Sequence, residues 1–131
     1  DYSLYPEMPL CKQIDSVFRN RWCGAYWQEC GLPVIPTISW SDSRSFEFCF
    51  DGVEKGSCVA VSTIGCKDYT RNFMAGYEQM LKKIGPSTII CYGQPIYGRE
   101  VDIIYVSYEE TTRRNKSWVE EESMQENALA S

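Results

Sequence analysis

The chain is expected to be an α/β protein with a mostly parallel sheet of βα repeats, either an open sheet or part of a (β/α) barrel. Three observations lead there. Helical apolar spacing alternates along the chain with short β-rich runs. Those runs are continuously apolar, as strands covered on both faces must be. Each helical stretch is also closed by a glycine–proline signal before the next strand begins. Strand, helix, strand, connection, strand, helix, strand is the grammar of parallel sheets with crossover helices. Four buried strands are too few to close a barrel.

The elements follow in order. Asp1-Tyr2-Ser3-Leu4-Tyr5 reads as the end of a strand, and Pro6 to Pro9 lead into a helix. Leu10, Ile14, Val17, Phe18, Trp22 and Ala25 keep a helical period until Gly31 and Pro33 end it. Val34 to Ser39 reads as a buried strand between prolines. Residues 41–57 are ambiguous: Ser41 can cap a short helix over Asp42 to Phe50, although Phe46-Glu47-Phe48 alternates like a strand. Ser57 to Thr63 is a buried strand, and Tyr69 to Ile84 is a helix stopped by Gly85-Pro86. Ser87 to Tyr92 is a further buried strand, and Asp102 to Tyr108 alternates as an edge or hairpin strand would. Residues 1–108 are thus expected to form one domain. Residues 109–131 are expected to be a polar acidic tail, partly disordered or weakly helical.

Composition limits the function classes. With 131 residues and 44% hydrophobic content, the chain has enough apolar surface for a folded core. Its net charge of −5 is concentrated in the tail, where Glu109, Glu110, Glu120, Glu121, Glu122 and Glu126 oppose Arg113, Arg114 and Lys116. A nearly neutral body projects no long-range field to gather phosphates. No apolar run reaches membrane-spanning length and nothing at the start resembles a signal peptide, so a cytoplasmic protein is expected. The 7 cysteines, with no Cys-x-x-Cys and no histidine, lack zinc spacing and read as small buried thiols in a reducing compartment.

A sustained set of motifs resembles one family. These are Tyr2-Ser3-Leu4-Tyr5-Pro6-Glu7-Met8-Pro9-Leu10, Arg19-Asn20-Arg21, Ala25-Tyr26-Trp27, Val34-Ile35-Pro36-Thr37 and Ser39-Trp40. They continue through Cys49-Phe50-Asp51-Gly52, Lys55-Gly56-Ser57, Val59-Ala60-Val61-Ser62-Thr63, Phe73-x-x-Gly76-Tyr77 and Pro86-Ser87-x-Ile89-Ile90-x-Tyr92-Gly93. In order and spacing they resemble the bacterial, phage and mobile-element family called domain of unknown function 4417, over roughly residues 1–107. The resemblance supports the α/β reading and carries no activity with it. Other members of the family usually have a further segment ahead of the Ser-Leu-Tyr motif, so an exposed sheet edge is expected here.

The absence of histidine removes Ser-His-Asp and Cys-His catalysis, and no P-loop or dinucleotide-binding glycine motif is present. The remaining candidates lie at strand exits, where parallel sheets converge their functional groups. Asp1 and Asp42 are the candidate catalytic pair, able to serve as acid and base or to hold a hard metal; the alternative for Asp42 is a helix cap beside Ser41. Trp40 is either a stacking platform or core packing, while Ser41 beside it, Ser62 with Thr63, and Tyr92 with Gly93 complete the rim as binding candidates. Arg21 shares its helix face with residues 10, 14, 17, 18 and 25, so its charge must reach water or find a partner; it is either a structural pair with Asp51 or an anion-binding arginine. Lys55 is either a phosphate contact or a surface turn residue.

Three functions compete. The first is a non-catalytic binding or interaction module of a phage or mobile element, with a protein partner or a second copy meeting an exposed sheet edge. The second is a metal-assisted hydrolase of a phosphodiester or glycoside that uses strand-end carboxylates. The third is nucleic-acid binding through Arg19, Arg44, Lys55, Lys67 and Arg71. No cofactor is specified by the sequence.

Overall fold

The computed structural model describes residues 2–66, 71–96, 101–109 and 112. It is an α/β fold with a small, open, three-stranded parallel sheet in the order β1-β2-β3. The elements are helix α1 (Leu10–Glu29), a 3-10 turn (Ser43–Glu47), β1 (Cys58–Ser62), helix α2 (Arg71–Lys83), β2 (Thr88–Tyr92) and β3 (Asp102–Val106). β1 pairs with β2 in the register Ala60↔Ile90, and β2 pairs with β3 in the register Ile90↔Ile104. Among the described residues β3 is therefore a parallel edge strand, and the hairpin alternative is set aside.

The core forms where α2 lies on the sheet. Val59 and Val61 of β1 and Ile89 and Cys91 of β2 meet Phe73, Tyr77 and Met80 of α2, with Ile84 just beyond the helix end. Their spacing explains the element: positions 73, 76, 77 and 80 stack on one side of a helix. Gly76 is needed there because the Trp40 indole lies against its backbone, where an added Cβ would collide with Nε1. Lys83 at the far end of α2 donates to the Phe46 carbonyl, which ties the helix to the 3-10 turn.

The expected strand at Val34 to Ser39 is much shorter than predicted. Only Thr37 bridges Ala60, in parallel, through Ile38 N–H to Ala60 O (2.8 Å) and Ala60 N–H to Pro36 O (2.9 Å). Pro33 and Pro36 have no N–H to donate, so the ladder cannot extend upstream. The segment still occupies a strand's place, with Ile38 buried beside β1. Leu4 is buried as well, and its amide donates to Ser39 Oγ.

The larger correction concerns α1. Gly31, at a φ of 79°, closes the helix as predicted, with Leu32 N–H donating back to Trp27 O. The apolar stripe, however, faces solvent. Leu10, Ile14, Phe18 (64% exposed), Trp22 (58%) and Tyr26 lie on the outside, and Trp22 stacks on Tyr26 with ring centroids 5.6 Å apart. The inward side carries Gln13, Val17, Arg21 and Gly24 instead. The cysteines are also less buried than expected: Cys49 and Cys91 are enclosed, Cys11 and Cys30 are exposed, and all seven are free.

Candidate functional site

The three parallel strands end on one rim. Thr63 to Cys66 follow β1, Gly93 to Pro95 follow β2, and Ser107 to Glu109 follow β3; together they line an open cleft of about 600 Å³. A cleft beyond the carboxyl ends of parallel strands is where open α/β sheets bind their ligands. Thr63 holds two of its walls together. Its hydroxyl accepts from Gln94 N–H (2.6 Å) and donates to Gln94 O (3.0 Å), while its own amide donates to Tyr92 O. Tyr92 at the end of β2 makes an edge contact with Tyr108, with centroids 6.0 Å apart. Ser62, the last residue of β1, accepts a hydrogen bond from Ile64 N–H.

The chemistry on this rim is subdued. Burial raises the Cys66 thiol above its ordinary pKa, which disfavours the thiolate needed for attack. Glu109 is the carboxylate in the lining. Among the described residues no group of three His, Cys, Asp or Glu is placed to hold a metal.

Trp40, Ser41 and Asp42 leave the strand-like segment but do not line this cleft. Trp40 is packed between Phe50 and Phe73, with centroids at 6.1 and 5.2 Å. Ser41 is buried: its hydroxyl donates to Gln13 Oε1 (2.6 Å), and its amide donates to Ser45 Oγ. Gln13 Nε2 in turn donates to Met8 O, so the network fixes the start of α1 against the 3-10 turn. Asp42, rather than Ser41, is the N-cap, accepting from Arg44 N–H and pairing with the Arg44 guanidinium at 2.7 Å. Those hydrogen bonds hold its carboxyl below the usual range. Asp1 lies outside the described residues.

Arg21 is held by main-chain carbonyls rather than by the Asp51 carboxylate. Its Nε donates to Asp51 O (2.8 Å) and one terminal nitrogen to Cys49 O (2.9 Å), while the other meets Asn20 Oδ1 and, at 3.5 Å, Thr37 O. Burial lowers its pKa, and the neighbouring Cys49 and Asp51 act against that shift. The guanidinium thus satisfies carbonyls that the irregular connection would otherwise leave unpaired.

Two of the candidate cations are already paired. Arg19 pairs with Asp15 at 2.9 Å and Arg44 with Asp42. Lys55 is exposed on the turn before β1, whereas Arg71 begins the helix after β1, at the opposite end of the strand. Lys67 lies outside the described residues. Sequence reasoning overlooked Gln13, the Gln94 contact of Thr63, and the solvent-facing stripe. The last had a legible signal, since Leu10, Ile14, Phe18, Trp22 and Tyr26 recur every fourth residue.

The fold and rim define a parallel α/β protein with a cleft at its strand exits and an unpaired aromatic helix face. The chain belongs to the family described as "Domain of unknown function (DUF4417)", whose profile matches residues 1–109. It is 37% identical over 123 residues to the "Gene 1 protein" of Mycobacterium phage L5, covering 91% of this chain and 54% of that protein. It is 35% identical over 131 residues to the "Gene 1 protein" of Mycobacterium phage D29, covering 93% of this chain and 48% of that protein. The chain therefore spans about half the length of the curated relatives it matches. No solved structure matches it. It is a phage-associated protein by family, and no helix among its described residues is long and apolar enough to cross a membrane.

Proposed function

We propose that the protein is a non-catalytic accessory module that binds another protein through the outer face of α1. The observation that carries this reading is the stripe Leu10, Ile14, Phe18, Trp22 and Tyr26, exposed along one helix. Contiguous aromatic and aliphatic surface of this kind marks interaction sites, and Trp and Tyr dominate their energetics. The hydrolase alternative requires Asp42 to give up both its capping bond and its Arg44 pair. The nucleic-acid alternative requires Arg19 and Arg44 to give up their pairs with Asp15 and Asp42.

Within this reading, the chain is one part of a (β/α) barrel built from βα repeats. Residues 2–5, 36–38, β1, β2 and β3 follow one another in both sequence and space, which is the neighbour order of such barrels. Seven free thiols fit a reducing cytoplasm. A polar acidic tail over residues 109–131 remains a proposal, and apart from Glu109 and Thr112 that stretch lies outside the described residues.

The test is photocrosslinking from position 22 in bacterial cells producing the protein. Discrete protein adducts that Phe18→Glu abolishes are expected. Adducts no stronger than those from Lys12, on the helix's polar side, would remove the reading.

A further inference from the structure

A different surface carries a second, independent conclusion. The sheet has two faces, and among the described residues no helix packs on one of them. Val59, Val61, Ile89 and Cys91 point into the core, where α2 supplies Phe73, Tyr77 and Met80 and α1 supplies Val17. The alternate positions point the other way. There Ala60, Ile90 and Ile104 stand in register across all three strands, and none belongs to that core. Ala60 and Ile90 are half-buried and Ile104 is 52% exposed. Parallel sheets bury both faces because their crossovers cover them. Among the described residues both helices contribute to the core side.

The same region has an open edge. Among the described residues β3 pairs only with β2, and Ile104 and Tyr105 are exposed along it. An unpaired apolar edge is a template for another strand. Whatever covers this region must therefore supply a strand to the edge and apolar side chains to the face. A peptide added to the edge meets only the first requirement, and a small ligand meets neither.

The length of the relatives indicates the occupant. The Gene 1 proteins match 91% and 93% of this chain with only 54% and 48% of their own lengths. We infer that the open face and the β3 edge are the docking surface for a second α/β segment. That segment corresponds to the half of the Gene 1 proteins outside the match, and it closes the sheet over the Ala60–Ile90–Ile104 row whether or not the two are covalently joined. A second copy of this chain fits less well, because a two-fold axis at the edge would pair β3 with itself in antiparallel fashion. The docked segment also brings its own strand ends to the rim lined by Thr63, Gly93 and Tyr108, so the cleft gains its missing wall.

The experiment co-produces the tagged 131-residue chain with the part of the phage L5 Gene 1 protein that lies outside the match. Purification through the tag and sedimentation then give the composition. A one-to-one complex is expected, weakened at least about tenfold by Ile104→Asp. Ile104 is half-exposed at an edge, and thermal unfolding of the isolated variant verifies that it folds. Trp22→Glu, on α1, should leave the complex intact, which separates this conclusion from the α1 reading. A homodimer that excludes the L5 segment would overturn the inference. So would failure of the tagged chain to retain or solubilise that segment, or a complex insensitive to Ile104→Asp.

Discussion

Helices α1 and α2 are both amphipathic, and they spend their apolar residues in opposite ways. α2 turns Phe73, Tyr77 and Met80 onto the sheet and leaves its charges outside. α1 turns Phe18, Trp22 and Tyr26 outward and meets the rest of the molecule through Gln13, Val17 and Arg21. One helix is held by apolar burial and the other by hydrogen bonds to carbonyls and a hydroxyl. The difference shows that a hydrophobic period locates a helix but does not reveal what covers its apolar side.

Paired truncations test this contrast most severely. Met80→Ala should cost about 3 kcal/mol, as a fully buried methionine leaves a cavity. Trp22→Ala removes a larger side chain yet should change stability by no more than about 0.5 kcal/mol. Urea denaturation of both variants is the check; comparable losses would mean that α1 packs like α2.

The two helix glycines extend the comparison. Gly76→Ala drives a methyl into Trp40 and should destabilise by about 2 kcal/mol despite alanine's better helix propensity. At Gly24 the new Cβ would meet Val34 Cγ1 at an ordinary 3.5 Å, so Gly24→Ala should be neutral or stabilising by up to about 1 kcal/mol. Thermal melts of the pair should move in opposite directions or leave Gly24→Ala unchanged.

Arg21→Met asks whether carbonyl pairing really anchors α1. It keeps the aliphatic stem and strands the Asp51 and Cys49 carbonyls, at an expected cost of about 2 kcal/mol. Hydrogen exchange should show the loss concentrated around the Asp51-Gly52 turn, with the α2 core least affected.

The smallest effect near neutral pH concerns Cys49. Burial pushes its thiol up to about 12, so the folded state keeps its proton while an unfolded thiol ionises above the ordinary value near 9.0. The unfolded chain then binds fewer protons, and stability should fall as pH rises from about 9 toward 12, by at most about 1.4 kcal/mol per unit. Below that window the contribution is fully present. Cys49→Ala should flatten this part of the pH profile relative to the native chain, and a profile of unchanged slope would contradict the assignment.

Much of the architecture was readable from particular residues. Phe73-x-x-Gly76-Tyr77 and the run Val59 to Val61 announced α2 and β1 because their burial follows from local period and from the apolar content of the strand. Gly31 and Gly85-Pro86 placed the helix ends for backbone reasons that need no neighbours. The candidate site was legible only in part. Ser62 and Tyr92 do lie at strand exits. Trp40, Ser41 and Asp42 were drawn into packing, a buried hydrogen bond and a cap, because Gln13, Phe73 and Arg44 stand beside them in space.

The sequence by itself determined the family, the α/β class and the positions of the helices and the three sheet strands. These depend on backbone chemistry and on periods of two and 3.6 residues. Tertiary structure decided which side of α1 is buried, whether Arg21 pairs with a carboxylate or with carbonyls, and how Thr63 joins two loops at the rim. Each depends on groups distant in sequence, and local pattern carries no information about which distant group arrives.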